Sequence, residues 1–542
     1  MENTYLTNIW TQVHNLVLLA RENVWYLAYF FCSVILLFQV TKWLYNVYFH
    51  PLAAFPGPLL WRASRVPFET SNVRGRILKD LSVLHARYGE VVRVAPGILA
   101  FIHPSAWPDI YAHKPGHLPF PKDPLRYTHD TYINGHPDVF AAEDVDHPRL
   151  RRLLKPVFSD KALREQEPLI QANIDLLISK LRERAGSSTV DPSTTDVVDI
   201  STWLNWATFD LIGDLAFGET FGCLARGSYH PWVALIFASV KAVTIAGAIK
   251  QFPWLDRLWQ ILIGGVWMRA MRQHQQLVIE KVDKRLARKT ERKDFTEFIL
   301  NYQNTNDEKM SKGEMYSNLS LLIMAGSDTS ATALSGTLYH LARNQHVLRP
   351  LQTEIREKFA TEGDISFESI AALPNLLAAL KESMRMYPSQ PIFTPRKVPK
   401  GGAEVAGSWV PEGVSLLLII IIIVVVVVVV IVITTVGIFQ STAYNSPINF
   451  MHSHKYDPSR WLGNPTYDGD RRDVFRPFSI GPKSCIGMQL AYTEMQLILA
   501  RMLWNFDIEL VDKERVWTDQ AAHWSWVKTP LLMRLKTFEK RE

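Results

Sequence analysis

The sequence predicts a mainly α-helical protein with small β-sheets: a single large domain carried behind an N-terminal transmembrane helix. Three observations carry that prediction. Apolar residues recur with a period near 3.6 over 147–180, 201–221, 312–343, 374–386 and 486–503. Strand-like pieces are short, near 90–94 and 404–410. A long apolar run lies close to the N-terminus, and no linker or internal repeat divides the chain after it.

That run, "VWYLAYFFCSVILLFQV" over 24–40, is nearly all apolar. Trp25, Tyr26, Trp43 and Tyr45 bracket it as aromatic residues do at a membrane interface. It is longer than the apolar part of a secretory leader, and no small-residue cleavage site follows. Lys42, Arg62, Arg65, Arg74 and Arg76 come after it, against Arg21 before it, so the bulk of the chain is expected on the cytosolic side. Residues 1–50 thus read as an anchor with its flank. The Pro-rich hinge "HPLAAFPGP" then opens the large domain, 51–542.

With 542 residues the chain can bury a sizeable core. Its net charge of +6 suits an acidic partner or an anionic membrane surface. No Lys/Arg stripe with interleaved aromatics appears, which argues against nucleic acid. Three scattered cysteines, Cys32, Cys223 and Cys485, form no disulfide framework and point to a reducing compartment.

Chemistry concentrates in "FRPFSIGPKSCIGMQLAY", where Phe478, Gly481, Lys483, Cys485 and Gly487 spell F-x-x-G-x-K-x-C-x-G. A thiolate ligand needs donors aimed at its sulfur and a backbone able to turn tightly beneath a flat cofactor. Gly481 and Gly487 would allow that turn and approach. A helix starting just after Cys485 would present its N-terminal N–H groups and positive dipole end to the sulfur. Phe478 would shield it. No second Cys or His stands at zinc-ligand spacing. The pattern fits a haem iron held by one cysteine, whose thiolate favours O–O cleavage.

From the anchor to the C-terminus the chain resembles the fungal membrane-anchored cytochromes P-450, which are haem-thiolate monooxygenases. The resemblance implies the cytochrome P-450 fold and haem b. It also implies roles for further residues. "AGSDTS" (325–330) matches the motif of the helix that crosses the distal haem face. There Ala325 and Gly326 would leave room for O2, while Asp328 and Thr329 would relay protons. "KESMR" supplies Glu382 and Arg385, and "YDPSRW" supplies Arg460, expected as an ion-paired structural cluster. "HPRLRR" places His147 and Arg151 one helical turn apart, so both can face one propionate. Arg396 and Lys483 resemble the other propionate contacts, with Lys483 where relatives usually carry Arg.

No flavin or NADPH domain follows, so the resemblance implies electrons from NADPH through a separate NADPH–cytochrome P-450 reductase, with cytochrome b5 as a further partner. The basic run Arg149, Arg151, Arg152 and Lys155 could steer such an acidic partner. The implied location is the endoplasmic reticulum membrane, single-pass, with the catalytic domain cytosolic.

One stretch does not fit. Residues 416–433 read "LLLIIIIIVVVVVVVIVI". As a second membrane span this run would put Cys485 across the bilayer from Asp328 and Thr329, which must share one haem. As a strand it is longer than the usual ten or so residues, and homopolymer blocks define no register. Blocks of Leu, Ile and Val resemble translated nucleotide repeats, so 416–435 reads as an insertion absent from the working enzyme.

The expected pocket stretches, 120–132, 229–252 and 392–394, are apolar and aromatic enough for a hydrophobic small molecule. "FDLIGDLAFGETFGCL" and "YFHPLAAFPGP" resemble the fungal secondary-metabolism branch, including isotrichodermin C-15 hydroxylase-like enzymes. That implies hydroxylation or epoxidation of a terpenoid or polyketide. Two alternatives stand beside it: an O2-independent isomerase or lyase, against which the pair Asp328 and Thr329 argues, and an inactive haem-binding membrane protein, which only the insertion supports.

Overall fold

The computed structural model describes residues 24–26, 28–124, 133–186, 197–288, 292–392, 394–413, 415–422, 424–431 and 433–538, the side chains of 238–240 and 415–431 excepted. Helix α1 (Val24–Phe49) is apolar and exposed, and it is long enough to cross a bilayer. The hinge beyond it is pinned to α2 (Leu59–Ala63). Asn46 donates to the carbonyl of Ala63 at 2.8 Å, and Arg62 donates to the carbonyls of Val47 and Ala53 at 2.8 and 2.9 Å.

After α3 (Val66–Val73) and α4 (Ile77–Tyr88), strands β1 (Val91–Ala95) and β2 (Ile98–Phe101) form a hairpin, and α5 (Ala106–Tyr111) follows. Next come α6 (His147–Leu154), α7 (Asp160–Gly186), β3 (Val197–Asp199), α8 (Ile200–Phe217) and α9 (Cys223–Arg226). Helices α10 (Pro231–Lys250), α11 (Pro253–Leu262), α12 (Gly264–Ala287) and α13 (Phe295–Thr305) lead into the central α14 (Lys312–Arg343). Its start is set by a capping box: Ser311 Oγ accepts from the Glu314 N–H at 3.2 Å, and Glu314 Oε2 accepts from the Ser311 N–H at 2.7 Å. Helix α8, buried on nearly every face, packs along α14 inside one large apolar core.

Helices α15 (Gln345–Lys358), α16 (Phe367–Ile370) and α17 (Pro374–Met386) precede β4 (Arg396–Lys397). Strands β5 (Ala403–Val405) and β6 (Ser408–Val410) make a hairpin. A second hairpin joins β7 (Ser415–Ile422) to β8 (Val424–Ile431). Strand β9 (Thr435–Ile438) returns to complete a four-stranded sheet in the order β1-β2-β9-β4. Helix α18 (Gln440–Tyr444), the cysteine-bearing loop and α19 (Met488–Asn505) follow, and β10 (Phe506–Leu510) and β11 (Leu532–Thr537) pair with β3 in a three-stranded sheet.

The structure revises three sequence expectations. The helix expected over 147–180 breaks into α6, a 3-10 turn at Lys155–Phe158 and α7, because Pro156 supplies no N–H. The strand expected over 404–410 reverses at Ala406 and Gly407, whose φ values of 49° and 74° build a tight left-handed turn. The 416–433 run is neither a single long strand nor a helix. Its backbone folds into two eight-residue strands in register from Ser415–Ile431 to Ile422–Val424. They join no other sheet among the described residues.

Candidate functional site

The cysteine loop is built by its own backbone. The Cys485 N–H donates to the Phe478 carbonyl at 2.9 Å, and the Ser484 N–H donates to Gly481 at 3.0 Å. Gly481 sits at φ +76°, and a Cβ there would lie 2.1 Å from the carbonyl oxygen of Tyr111, so only glycine fits. Gly487 differs. Its added Cβ would make an ordinary 3.5 Å contact with Phe158, and the residue caps α19. Cys485 therefore stands two residues before the N-cap of α19, as the sequence suggested. Phe478 is half-buried against Tyr492, ring centroids 4.8 Å apart. Cys485 is exposed. Burial pushes its thiol up, while the Gly487 N–H and the charge of Arg151 pull it down.

Cations surround this loop. Arg151 donates to the carbonyl of Ser484 at 2.6 Å and to its hydroxyl at 3.3 Å. His147, one turn earlier on α6, is buried, and burial together with Lys122, Lys483 and Arg151 lowers it to about 4. Arg396 is buried with its guanidinium 5.6 Å from the Tyr111 ring centre. Lys483 pairs with Asp144 at 2.5 Å. The sequence reading missed Lys122, which a β-bridge joins to Arg396 and which donates to the carbonyls of Phe140 and Ala142, both at 2.6 Å. Burial, and after it the charges of Arg396 and Lys483, lower it to about 7. Lys122, Arg151, Arg396 and Lys483 thus gather as cations beside a neutral His147, with Asp144 and Asp138 the carboxylates whose charges reach Lys122. An anionic group with two carboxylates, as haem b carries, fits that excess of charge.

Helix α14 is buried along most of its length but opens at its centre, where Met324 is 44% exposed and Ala325 is also exposed. Thr329 lies one turn beyond, its hydroxyl donating to the Ala325 carbonyl at 2.5 Å. Asp328 is turned another way: its Oδ1 accepts from Lys528 Nζ at 2.7 Å. Gly326 faces α8, since a Cβ there would lie 2.9 Å from Ile212 Cδ1. Its small size serves helix packing, and Ala325 lines the opening.

Glu382, Arg385 and Arg460 meet as the sequence suggested, each with a side chain 0% exposed. Arg385 grips both oxygens of Glu382 at 2.9 Å, and Arg460 reaches Oε1 at 3.4 Å. Asp470, absent from the sequence reading, pairs with Arg460 and balances the charges.

The basic run is less free than it looked. Arg149 pairs with Glu314, Arg152 holds both oxygens of Glu308, and Arg151 turns inward, leaving Lys155 exposed. Of the pocket stretches, 125–132 and 393 lie outside the described residues, as does Arg21. No three His, Cys, Asp or Glu side chains cluster as a metal site among the described residues.

A lone cysteine at a helix start, a cradle of cations around it and a long helix that opens at its centre define a haem-thiolate protein. The Cytochrome P450 family model matches residues 55–424 and 433–537, and the chain belongs to the cytochrome P450 family. It is 40% identical to an averantin hydroxylase of Aspergillus parasiticus over 91% of this chain and 94% of the relative. It is 40% identical to cytochrome P450 monooxygenase stcF of Emericella nidulans over 93% of this chain and 98% of the relative. It is also 39% identical to cytochrome P450 monooxygenase astA of Talaromyces wortmannii, over 92% and 95%. The chain is a cytochrome P450 monooxygenase.

Proposed function

We propose that this enzyme hydroxylates a hydrophobic polyketide or terpenoid intermediate of fungal secondary metabolism, drawing electrons from NADPH through a separate reductase. The gathering of Arg151, Arg396, Lys122 and Lys483 near Cys485 carries the site assignment. Relatives named as averantin hydroxylases support hydroxylation as the reaction. Cys485 would hold the iron, and His147, Arg151, Arg396, Lys122 and Lys483 would bind the propionates. When bound, haem supplies the activation of O2. Met324 and Ala325 line the opening at the centre of α14, and the apolar wall of α8 and α14 would exclude water there. Asp328 carries a proton inward and the hydroxyl of Thr329 passes it on, once that hydroxyl leaves the Ala325 carbonyl.

The endoplasmic reticulum is the proposed location. Helix α1 supports a membrane anchor, and so does the exposed apolar face formed by Trp254, Ile261, Leu262 and Val266 on α11 and α12. Exposed ion pairs such as Arg152–Glu308 are weak and exchange readily, which leaves α6 able to meet an acidic reductase.

We further infer that 416–435 is an insertion. The family model leaves 425–432 unmatched, which supports this reading. The reduced carbon-monoxide difference spectrum tests both readings, on the full chain beside one lacking 416–435. A thiolate-type Soret band that Cys485→Ser abolishes is the expected result. A band confined to the shortened form makes the hairpin an obstacle to folding. A band in both makes it a tolerated loop and removes the physical ground for the insertion. No band in either overturns the haem-thiolate assignment.

A further inference from the structure

Lys528 lies in the strap that leads into β11, and its side chain is 7% exposed. An ammonium has three N–H donors, and here all three are directed: to Asp328 Oδ1 at 2.7 Å, Thr332 Oγ1 at 3.0 Å and Asn205 Oδ1 at 3.0 Å. The first two partners are on α14 and the third on α8. The strap is itself held. Trp526 stacks on Tyr387 with ring centres 4.6 Å apart and donates to the Pro388 carbonyl at 2.8 Å. The Leu531 N–H donates to Asp199 at 2.8 Å, and Leu531 accepts from the Ile200 N–H at 3.0 Å. Lys528 is thus a preorganised cation, delivered to one carboxylate.

That carboxylate is the acid of the acid–alcohol pair. Among the described residues no hydrogen bond joins Asp328 to Thr329, because each is engaged elsewhere. We propose that Lys528 is a positioning residue for proton delivery: it holds Asp328 on the α8 side of α14 and sets when that acid can serve the cleft. The proposal rests on the roles given above to Asp328 and Thr329. The phenols of Tyr229 and Tyr387 also feel the Asp328 charge, and neither supplies a cation. Without Lys528 the part-buried carboxylate loses the cation that fixes its orientation.

The test uses membrane-bound holoprotein with reductase, NADPH and no added substrate. When protons arrive out of order, NADPH, a proton and O2 give NADP+ and hydrogen peroxide. Lys528→Met should raise the peroxide released per NADPH about fivefold, less than the roughly 10²–10⁴-fold at stake when a positioned acid is lost outright, and give that yield a new pH dependence. Lys528→Arg should stay within about twofold of the parent, since it keeps the charge. Asp328→Asn combined with Lys528→Met should be no worse than Asp328→Asn alone, in peroxide yield and in the thermal midpoint of the ferric protein. Lys528→Gln, which keeps donors without charge, replaces the Met variant if the latter lacks the thiolate band. A lowered midpoint with unchanged peroxide and pH profile makes Lys528 a structural tie and overturns the proposal. Additive effects of the two substitutions also overturn it. Asp328→Asn without effect on peroxide overturns the relay itself, a separate and recognisable failure.

Discussion

Two of this molecule's charged clusters are built on opposite rules. In the cluster of Glu382, Arg385, Arg460 and Asp470, two carboxylates meet two guanidiniums, and main-chain carbonyls take up the remaining donors. Tyr444, Ser453 and Met451 accept at 3.0, 2.7 and 3.0 Å. Trp461 adds a donor to Glu382 Oε2 at 3.0 Å. Around Cys485, the cations Lys122, Arg151, Arg396 and Lys483 gather with Asp144 and Asp138 in reach, and burial and mutual repulsion hold Lys122 well below its ordinary value and His147 neutral. A closed balance marks scaffold. An open one marks a place that expects a charged guest.

The largest expected effect comes from opening the closed balance. Glu382→Gln keeps shape and an acceptor but leaves Arg385 and Arg460 with Asp470 as their carboxylate. Breaking a buried pair costs about 3–5 kcal/mol, because an uncompensated charge stays buried. That is a large part of the 5–15 kcal/mol that holds a typical domain together. Folded holoprotein should be lost or its urea midpoint sharply lowered. An unchanged midpoint would show that the cluster does not hold the scaffold.

A third arrangement sharpens the contrast. Glu494 on α19 is buried beside α14, accepts from Ser330 Oγ at 3.4 Å, and has no partner for Oε1. Neither a cation nor a guest meets it. Burial instead pushes its carboxyl up to about 8, so it folds as the neutral acid. The folded chain then holds a proton that the unfolded chain gives up near pH 4.5. Stability should fall as pH rises from about 4.5 toward 8, by at most about 1.4 kcal/mol per unit. Glu494→Gln should match the parent near pH 5 and unfold at a higher midpoint at pH 8. Parallel pH curves for the two proteins would mean that Glu494 is charged when folded.

How far the sequence revealed these arrangements depends on what each residue signals locally. The limits of α14 and α17 were legible because the apolar period runs unbroken up to a capping serine and to Pro374. Cys485 was legible because its loop is specified within ten residues. Glu382, Arg385 and Arg460 were legible through the family resemblance. Asp470 was not, since it stands in an unpatterned loop. Lys122 and Lys528 carry no local signal: each is a lone lysine whose partners come from distant segments. Glu494 did carry one. It lies four residues after Leu490 and three before Leu497, on the buried face of the helix, where a carboxylate is out of place. Helix α10 gave no clear period, because it is apolar nearly all round.

The smallest expected effect also has the opposite sign, and so decides whether the comparison holds. Lys122→Met removes one cation from the open balance. Without haem the variant should be no less stable than the parent, since the lost charge is one that burial, Arg396 and Lys483 all disfavour. With haem it should be weaker by one charge-assisted contact, about tenfold in the rate at which haem transfers to an apo-globin acceptor. The thiolate band should survive, because Cys485 is untouched. A haem-free variant destabilised as Glu382→Gln is would make Lys122 part of the scaffold. The cradle would then be a second closed cluster whose carboxylates lie elsewhere, and the excess of charge that assigns it to haem propionates would lose its meaning.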